Sequence, residues 1–299
     1  MPSLKEVRIR IASVKSTQQI TSAMKMVAAS KLRRAQNAIL KMRPYAAKLV
    51  NILQHISQSL DNSNGENIYA RDNAEENILI VALTSNRGLS GAFNSNIIKA
   101  TIQLLTETYS RQYKSGNVSL WMIGNKGNDF FRKRGYKIVG ENSTMLEHLT
   151  FEKASSVAES IMQDYAEKKY DKVILVYNQF KNAVNQIVTV EQFLPVLPPE
   201  EKKLQAEQKA SHIDYIYLPS KEEIITELIP KTLKIQFYKA LLDSVASSYG
   251  AQMTAMQQAT DNAGELLKQL NLSYNKARQA AITKEILEIV SGAEALKNK

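Results

Sequence analysis

The chain has no cysteine. That excludes disulfides, thiolate metal sites and cysteine nucleophiles, and it fits a cytoplasmic setting. It has no run of 18 apolar residues, so no membrane-crossing helix is predicted. The only histidines, His55, His148 and His212, are scattered and have no second ligand at metal spacing, so no metal site is expected. The opening Met-Pro-Ser-Leu-Lys-Glu-Val-Arg has neither an apolar h-region nor a cleavage site, and no signal peptide is expected. Proline is absent after Pro230, and the glycines beyond it (250, 264 and 292) stand alone. Nothing there stops a helix.

That last absence defines the chain. From Ser220 to Leu296 the sequence reads as one helix, opened by Ser220-Lys-Glu-Glu223 as a capping box. Roughly 65 residues after the proline would make about 100 Å of helix. A compact domain of this chain length would be only about 50 Å across, so the helix is expected to protrude. A second capping box, Ser3-Leu-Lys-Glu6, starts a helix at once. Apolar residues follow in steps of three and four: Leu4, Val7, Ile11, Val14, then Ala28, Leu32, Ala35, Ile39, Met42, Ala46, Leu49, Leu53, Ile56, Leu60. A period of 3.5 predicts a left-handed coiled coil. Pro44 should kink or loosen it. Gln18, Thr21 and Lys25 interrupt the stripe, as polar residues that set register or that face something else.

Between the two helices the character changes. Residues 61–76 form a polar linker. Strands are predicted at 77–84, 118–123, 137–139, 172–177 and 185–193, with a last edge strand at 213–217. Helices are predicted at 94–113, 126–134 and 151–168. This alternation argues for a small Rossmann-like α/β domain with parallel strands. Pro195, Pro198 and Pro199 end it, and 200–212 is a charged loop. The fold class is therefore α/β with long helices. An antiparallel two-helix left-handed coiled coil (residues 1–60 and 220–296) flanks an inserted domain at 77–217. The C-terminal helix supplies Leu242, Val245, Met253, Met256, Ala259, Ala263, Leu267, Leu270, Tyr274 and Ala277 to the seam. The first helix can cover only about the first 60 residues of the second. A tip at about 281–296 is left over, and its apolar residues spread around the helix, as in a helix buried in a partner.

Charge points the same way. Residues 1–60 carry eleven Lys or Arg against one acid, Glu6, and the remaining residues balance at 28 of each sign. The net +10 thus belongs to the first helix and implies an acidic partner. Lys31, Arg33, Arg34, Lys41 and Arg43 form a basic face, read as a solvated coiled-coil surface, as the mate of an acidic protein loop, or as a nucleic-acid backbone contact. Few aromatics interleave with them, which disfavours base stacking. Arg87-Gly-Leu-Ser-Gly91 stands between a strand and a helix, where phosphate loops occur, but lacks the third glycine of a dinucleotide fingerprint and the Gly-Lys-Ser/Thr of a P-loop. Gly124-Asn-Lys-Gly127 fails likewise. A tight turn is the expected role. No catalytic constellation and no cofactor site is found.

The stretch Ile11-Ala-Ser-Val-Lys-Ser-Thr-Gln-Gln-Ile-Thr-Ser-Ala-Met-Lys-Met-Val-Ala-Ala-Ser-Lys-Leu-Arg-Arg-Ala-Gln36 resembles the opening helix of the gamma subunit of F-type ATP synthases. The stretch from Ala259-Thr-Asp-Asn-Ala263 through Leu272-Ser-Tyr-Asn to Ala295 resembles that family's closing signature, with Ile282-Thr283, Glu285, Glu288 and Gly292-Ala293 at its core. The middle also fits, at Leu83-Thr-Ser-Asn-Arg-Gly-Leu-Ser-Gly91, Gly124-Asn-Lys-Gly127, Tyr177-Asn-Gln-Phe180 and Leu194-Pro195. The resemblance covers the whole chain.

It implies a rotor shaft, not an enzyme. The coiled coil would stand inside a ring of alpha and beta subunits. The tip residues Ile286, Ile289, Val290, Ala293 and Leu296 would turn in an apolar sleeve. Met24, Lys25, Arg278, Gln279 and Thr283 would meet loops of the catalytic subunits. The α/β domain would sit beside epsilon and on the membrane ring of c subunits, with no direct membrane insertion, no nucleic acid and no cofactor. Proton flow through that ring would turn the shaft and drive ATP synthesis in the hexamer. The expected location is the cytoplasmic face of a bacterial plasma membrane, as a peripheral part of the complex. A basic coiled-coil nucleic-acid-binding protein is the alternative. Where the family often has Glu and Arg just before Met253, this chain has Ser248 and Gln252, which removes one charge contact from the expected set. The cysteine-bearing insert of chloroplast members is also missing, so thiol control is not expected.

Overall fold

The computed structural model describes residues 3–58, 68–69, 75–196 and 221–297, without the side chains of 43, 47, 50–58, 221–226 and 295–297. Its elements are α1 (Leu4–Gln58), β1 (Ile78–Leu83), α2 (Phe93–Gln103), a π-turn (Leu104–Thr108), α3 (Ser110–Lys114), β2 (Val118–Ile123), α4 (Asn125–Arg132), β3 (Ile138–Glu141), α5 (Phe151–Ala166), β4 (Lys172–Phe180), β5 (Gln186–Leu194) and α6 (Lys221–Lys297). Most of the predicted linker, the charged loop at 200–212, the edge strand at 213–217 and the Ser220 cap lie outside the described residues. The chain forms two compact units, Met1–Ala29 with Gln252–Lys299, and Ser30–Ala251.

The unit Ser30–Ala251 is built on a five-stranded sheet in the order β3-β2-β1-β4-β5. Strands β1 to β4 are mutually parallel, as expected, but β5 runs antiparallel to β4. The expectation of parallel strands throughout is corrected there. Only residues 181–185 separate β4 from β5, and so short a loop joins antiparallel neighbours only. The sheet is covered on both faces, which is why β1 reads as an unbroken apolar run, Ile-Leu-Ile-Val-Ala-Leu. Leu79, Val81 and Leu83 point to the layer of α5 and α6, where they meet Ala158, Ile161, Phe237 and Leu241. Ile78, Ile80 and Ala82 point to the other layer, with Phe93, Ile97 and Phe131.

The predicted helix at 94–113 is broken by the π-turn, in which the Tyr109 N–H donates to the Leu104 carbonyl (2.8 Å). Its residues facing the sheet are Phe93, Ile97, Thr101, Leu105 and Tyr109, all buried and each four apart. Steps of four on a 3.6-residue helix drift by roughly 160° over that span. The wider π-turn takes up the drift and keeps Leu105 and Tyr109 on the sheet.

In the unit formed by Met1–Ala29 and Gln252–Lys299, α1 and α6 lie side by side. Ser3 and Glu6 cap α1 reciprocally: the Glu6 N–H donates to Ser3 Oγ (3.3 Å) and the Ser3 N–H to Glu6 Oε2 (3.1 Å). Arg8 Nη2 donates to Tyr274 Oη (3.0 Å), Gln18 approaches Gly264, and Thr21 meets Thr260. Residue numbers rise along one helix as they fall along the other, so the pair is antiparallel. The predicted stripe is the buried side: Val7, Ala28, Met256 and Ala263 are buried, while Leu4, Ile11, Val14, Leu267, Leu270 and Tyr274 are half-buried.

Candidate functional site

Two surfaces are candidates for function, one in each unit, and they are opposite in kind.

In an open α/β sheet a ligand binds outside the carboxyl ends of the strands, at the point where the strand order reverses. Here that point lies between β1 and β4, and α6 fills it. The helix lies along the α5 layer from Ile229 to Leu241, and its Ala251 packs with the α2–α4 layer. In between, Ser244 Oγ donates to the carbonyl of Leu83, the last residue of β1 (3.3 Å), and Ser247 Oγ donates to the carbonyl of Asn178 in β4 (2.9 Å). Asn178 Nδ2 in turn donates to the Phe93 carbonyl (3.3 Å). The glycine turns beside this crevice are structural. After β1, Asn94 ties the loop by accepting from the Ser85 N–H (2.9 Å), and Leu89 and Gly91 take positive φ. At Gly124, φ is +105° and an added Cβ would lie 2.3 Å from the Thr84 carbonyl oxygen. Thr84 Oγ1 accepts from the Gly127 N–H (2.9 Å). The crevice is closed to a nucleotide by the protein's own helix.

The second surface is the far part of α6. Residues 282–294 are all exposed. They include Ile282, Ile286, Leu287, Ile289 (71% exposed) and Val290, which at about 100° per residue share one broad face of roughly 160°, opposite Lys284, Glu285 and Glu288; the expected spread around the whole helix is corrected there. The antiparallel register explains why. Arg8 faces Tyr274, so α1 begins opposite about residue 278, and α6 beyond it has no neighbour among the described residues. An added Cβ at Gly292 would meet nothing within 4 Å. This is the unpartnered tip expected from the lengths of the two helices.

The candidate contact residues fall into two separated groups. Arg278, Gln279 and Thr283 are exposed and adjoin Ile286, Ile289, Val290 and Ala293 on the tip; the side chain of Leu296 lies outside those described. Met24 and Lys25 are half-buried on α1, opposite about residue 258 by the same register. They lie some 20 residues, or about 30 Å, from Arg278 along α6. The polar gap in the α1 stripe faces α6. Thr21 is buried and its hydroxyl lies 2.8 Å from that of Thr260. The Thr260 hydroxyl also reaches the Met256 carbonyl (2.8 Å), and that of Thr21 the Gln18 carbonyl (3.1 Å). Two hydroxyl hydrogens serve three contacts, so the layer has more than one hydrogen-bonding arrangement. Of the basic face, Lys31 sits 5.3 Å from the centre of the Tyr249 ring.

Sequence reasoning did not single out Ser244, Ser247 or Thr84. The signal for the first two was there: small hydroxyl residues three apart on the buried side of a helix, where an apolar pair would otherwise be expected.

A helix pair with an apolar tip, joined to an α/β unit whose ligand crevice is shut, defines a stalk protein and not an enzyme of the nucleotide-binding α/β class. The comparisons with known proteins make the assignment specific. The family model described as ATP synthase matches residues 3–296. The ATP synthase gamma chain of Cytophaga hutchinsonii is 54% identical over 299 residues, the full length of both chains. That of Flavobacterium johnsoniae is 54% identical over 296 residues, 99% of each. Among solved structures, the central stalk and c-ring of Tetrahymena thermophila mitochondrial ATP synthase aligns with a TM-score of 0.58 at 26% identity, over 80% of this chain and 99% of that one. A Euglena gracilis mitochondrial ATP synthase chain shares the fold, with a TM-score of 0.64 at 21% identity, over 98% and 94% of the two chains.

The chain belongs to the gamma-subunit family of the F-type ATP synthases. It is a central-stalk subunit of a rotary, ion-transporting ATP synthase, peripheral in the complex and not catalytic alone. Nothing in these relatives supports nucleic-acid binding by the basic helix. No helix among the described residues is long and apolar enough to cross a membrane.

Proposed function

We propose that this chain couples a proton-driven ring of c subunits to the alpha and beta subunits of the catalytic hexamer, with epsilon bound beside its α/β domain. Its functional divisions are the shaft helix at 1–60, the α/β domain at 77–217 and the C-terminal helix at 220–296. The tip residues Ile286, Ile289, Val290, Ala293 and Leu296 seat in an apolar sleeve of the hexamer. Met24, Lys25, Arg278, Gln279 and Thr283 meet acidic loops of the catalytic subunits, at two levels about 30 Å apart along the shaft. The complex works at the cytoplasmic face of a bacterial plasma membrane. The observation that carries this reading is the tip: a broad face of large aliphatic side chains, exposed and without a neighbour among the described residues, a surface that soluble proteins keep for a partner.

Co-assembly tests it. The chain is mixed with the alpha and beta subunits of the same organism, and a bead on its α/β domain is followed during ATP hydrolysis. One gamma chain per ring with stepwise rotation is the expected result. A ring that hydrolyses ATP yet neither binds nor turns this chain would sink the reading.

A further inference from the structure

The stalk reading leaves open how α6 holds its place against the sheet when torque passes between them. Most of the contact is apolar, from Ile229 to Leu241, and apolar packing is non-directional. It resists separation better than it resists sliding. Among the described residues of that stretch only half-buried polar side chains add direction, Gln236 donating to Glu191 Oε1 (2.8 Å) and Lys234 pairing with Glu159; the fully buried directional contacts lie at the carboxyl ends of the strands. There, three residues of α6 follow one another at steps of three. Ser244 bonds the end of β1, Ser247 bonds β4, and Gly250 lies against the β4–β5 hairpin, where an added Cβ would be 3.2 Å from Ala183 Cα.

The spacings match. Three residues of helix rise about 4.5 Å. Neighbouring strands lie about 4.8 Å apart. One step along α6 is therefore one strand across the sheet, and the helix meshes with the strand ends as a rack meshes with teeth. Ser244 and Ser247 are almost fully buried, at 3% and 0% exposure. A slip of α6 by one step would set Leu241 or Gly250 opposite a carbonyl that a serine now bonds. Neither can donate a hydrogen bond, and one buried serine hydroxyl would lose its acceptor, which is costly.

We propose that Ser244 and Ser247 are positioning residues that fix the register of the shaft helix on the α/β unit, and that they bear load during rotation. This rests on the stalk reading. It predicts a defect that grows with load, which a loss of fold or of assembly would not give.

The test uses the whole ATP synthase in sealed vesicles, carrying Ser244→Ala, Ser247→Ala or both, with assembled complex quantified. The readout is the ratio of ATP-driven proton pumping to ATP hydrolysis, with and without an opposing proton gradient. For the double variant the ratio is expected to hold without a gradient and to fall at least about twofold against one, with Ser247→Ala the stronger single change because its bond is shorter. An unchanged ratio under load, or pumping and hydrolysis falling together, overturns the proposal. If the double variant does not assemble, Ser244→Ala alone is read in the same way, and an unchanged ratio there overturns it too. Failure of the wild-type chain to support pumping would instead sink the rotor reading itself.

Discussion

The two units use the same two helices in opposite ways. In Ser30–Ala251, α6 is one layer of a three-layer sandwich, and Phe237, Ala240, Leu241, Ala246 and Ser247 are shut off from solvent. In the other unit the helices have only each other. Val7, Ala28, Met256 and Ala263 are the buried apolar side chains there among the described residues. Ile9, Ile20, Val27 and Leu272 face outward and are exposed. The same helix is a core element at one end and half of an exposed helix pair at the other. Burial against the sheet makes α6 a fixed part of a domain, whereas in the helix pair much of its surface stays exposed.

If that contrast is right, substitutions should divide by unit. The largest loss is expected at Gly124→Ala. A side chain there meets the Thr84 backbone at a positive φ, and about 4 kcal/mol or more of stability should go. Chemical unfolding of the full chain checks this, and a loss below about 1 kcal/mol would show that the turn relaxes. The sharper comparison uses one residue type twice. Ile80→Ala empties a fully buried site between β1 and α2 and should cost about 3–4 kcal/mol. Ile289→Ala removes an exposed side chain and should change stability by less than about 0.5 kcal/mol. In binding to the catalytic ring the order should reverse, with Ile289→Ala weakening assembly by about tenfold. Equal destabilisation of the free chain by both would mean that the tip is covered by its own chain.

A smaller effect is expected in the polar layer of the helix pair. Thr21→Val removes one hydroxyl from the 2.8 Å contact and should cost about 1 kcal/mol. Thr21→Val with Thr260→Val removes both partners at nearly constant shape and should cost less than the two single changes together. A double-mutant cycle with no coupling would mean that the layer does not set register.

Much of this was legible in sequence, for reasons specific to each part. The apolar stripe of α1, the Ser3–Glu6 cap, the strand alternation and the bare tip all follow from periodicity and helix length. The tip needed only a subtraction, because the shorter helix ends before the longer one. The break of the helix at 94–113 was not legible, since a four-residue spacing of buried positions passes for an ordinary amphipathic pattern. The antiparallel β5 was not read either, although a five-residue loop after β4 contained the answer. Ser244 and Ser247 were hidden for another reason. Their partners are backbone carbonyls 161 and 69 residues away, and a carbonyl leaves no mark in a sequence.

The same comparison extends to alkaline pH, through one tyrosine in each unit. Tyr274 lies in the helix pair, where the Arg8 hydrogen bond first, and then the charge of Arg8, favours the phenolate and holds its pKa below the usual tyrosine value. Tyr177 lies in the sheet, where burial first, and then the Glu191 carboxylate that accepts its proton at 2.6 Å, pushes its pKa well above that value. The linkage signs are therefore opposite. For Tyr177 the folded pKa exceeds the unfolded one, about 10. Its contribution is complete below that pH and is lost as pH rises past it, because the unfolded chain releases the proton first. For Tyr274 the folded pKa is the lower, so its contribution grows as pH climbs from that lowered value toward about 10. A spectroscopic phenol titration of the full chain should lose its earliest part in Tyr274→Phe and its latest part in Tyr177→Phe. Unfolding measured at pH values on either side of about 10 should show a shallower alkaline loss in Tyr177→Phe. If Tyr274→Phe leaves the early titration unchanged, Arg8 does not hold that phenol in solution, and the antiparallel register drawn through it loses one of its anchors.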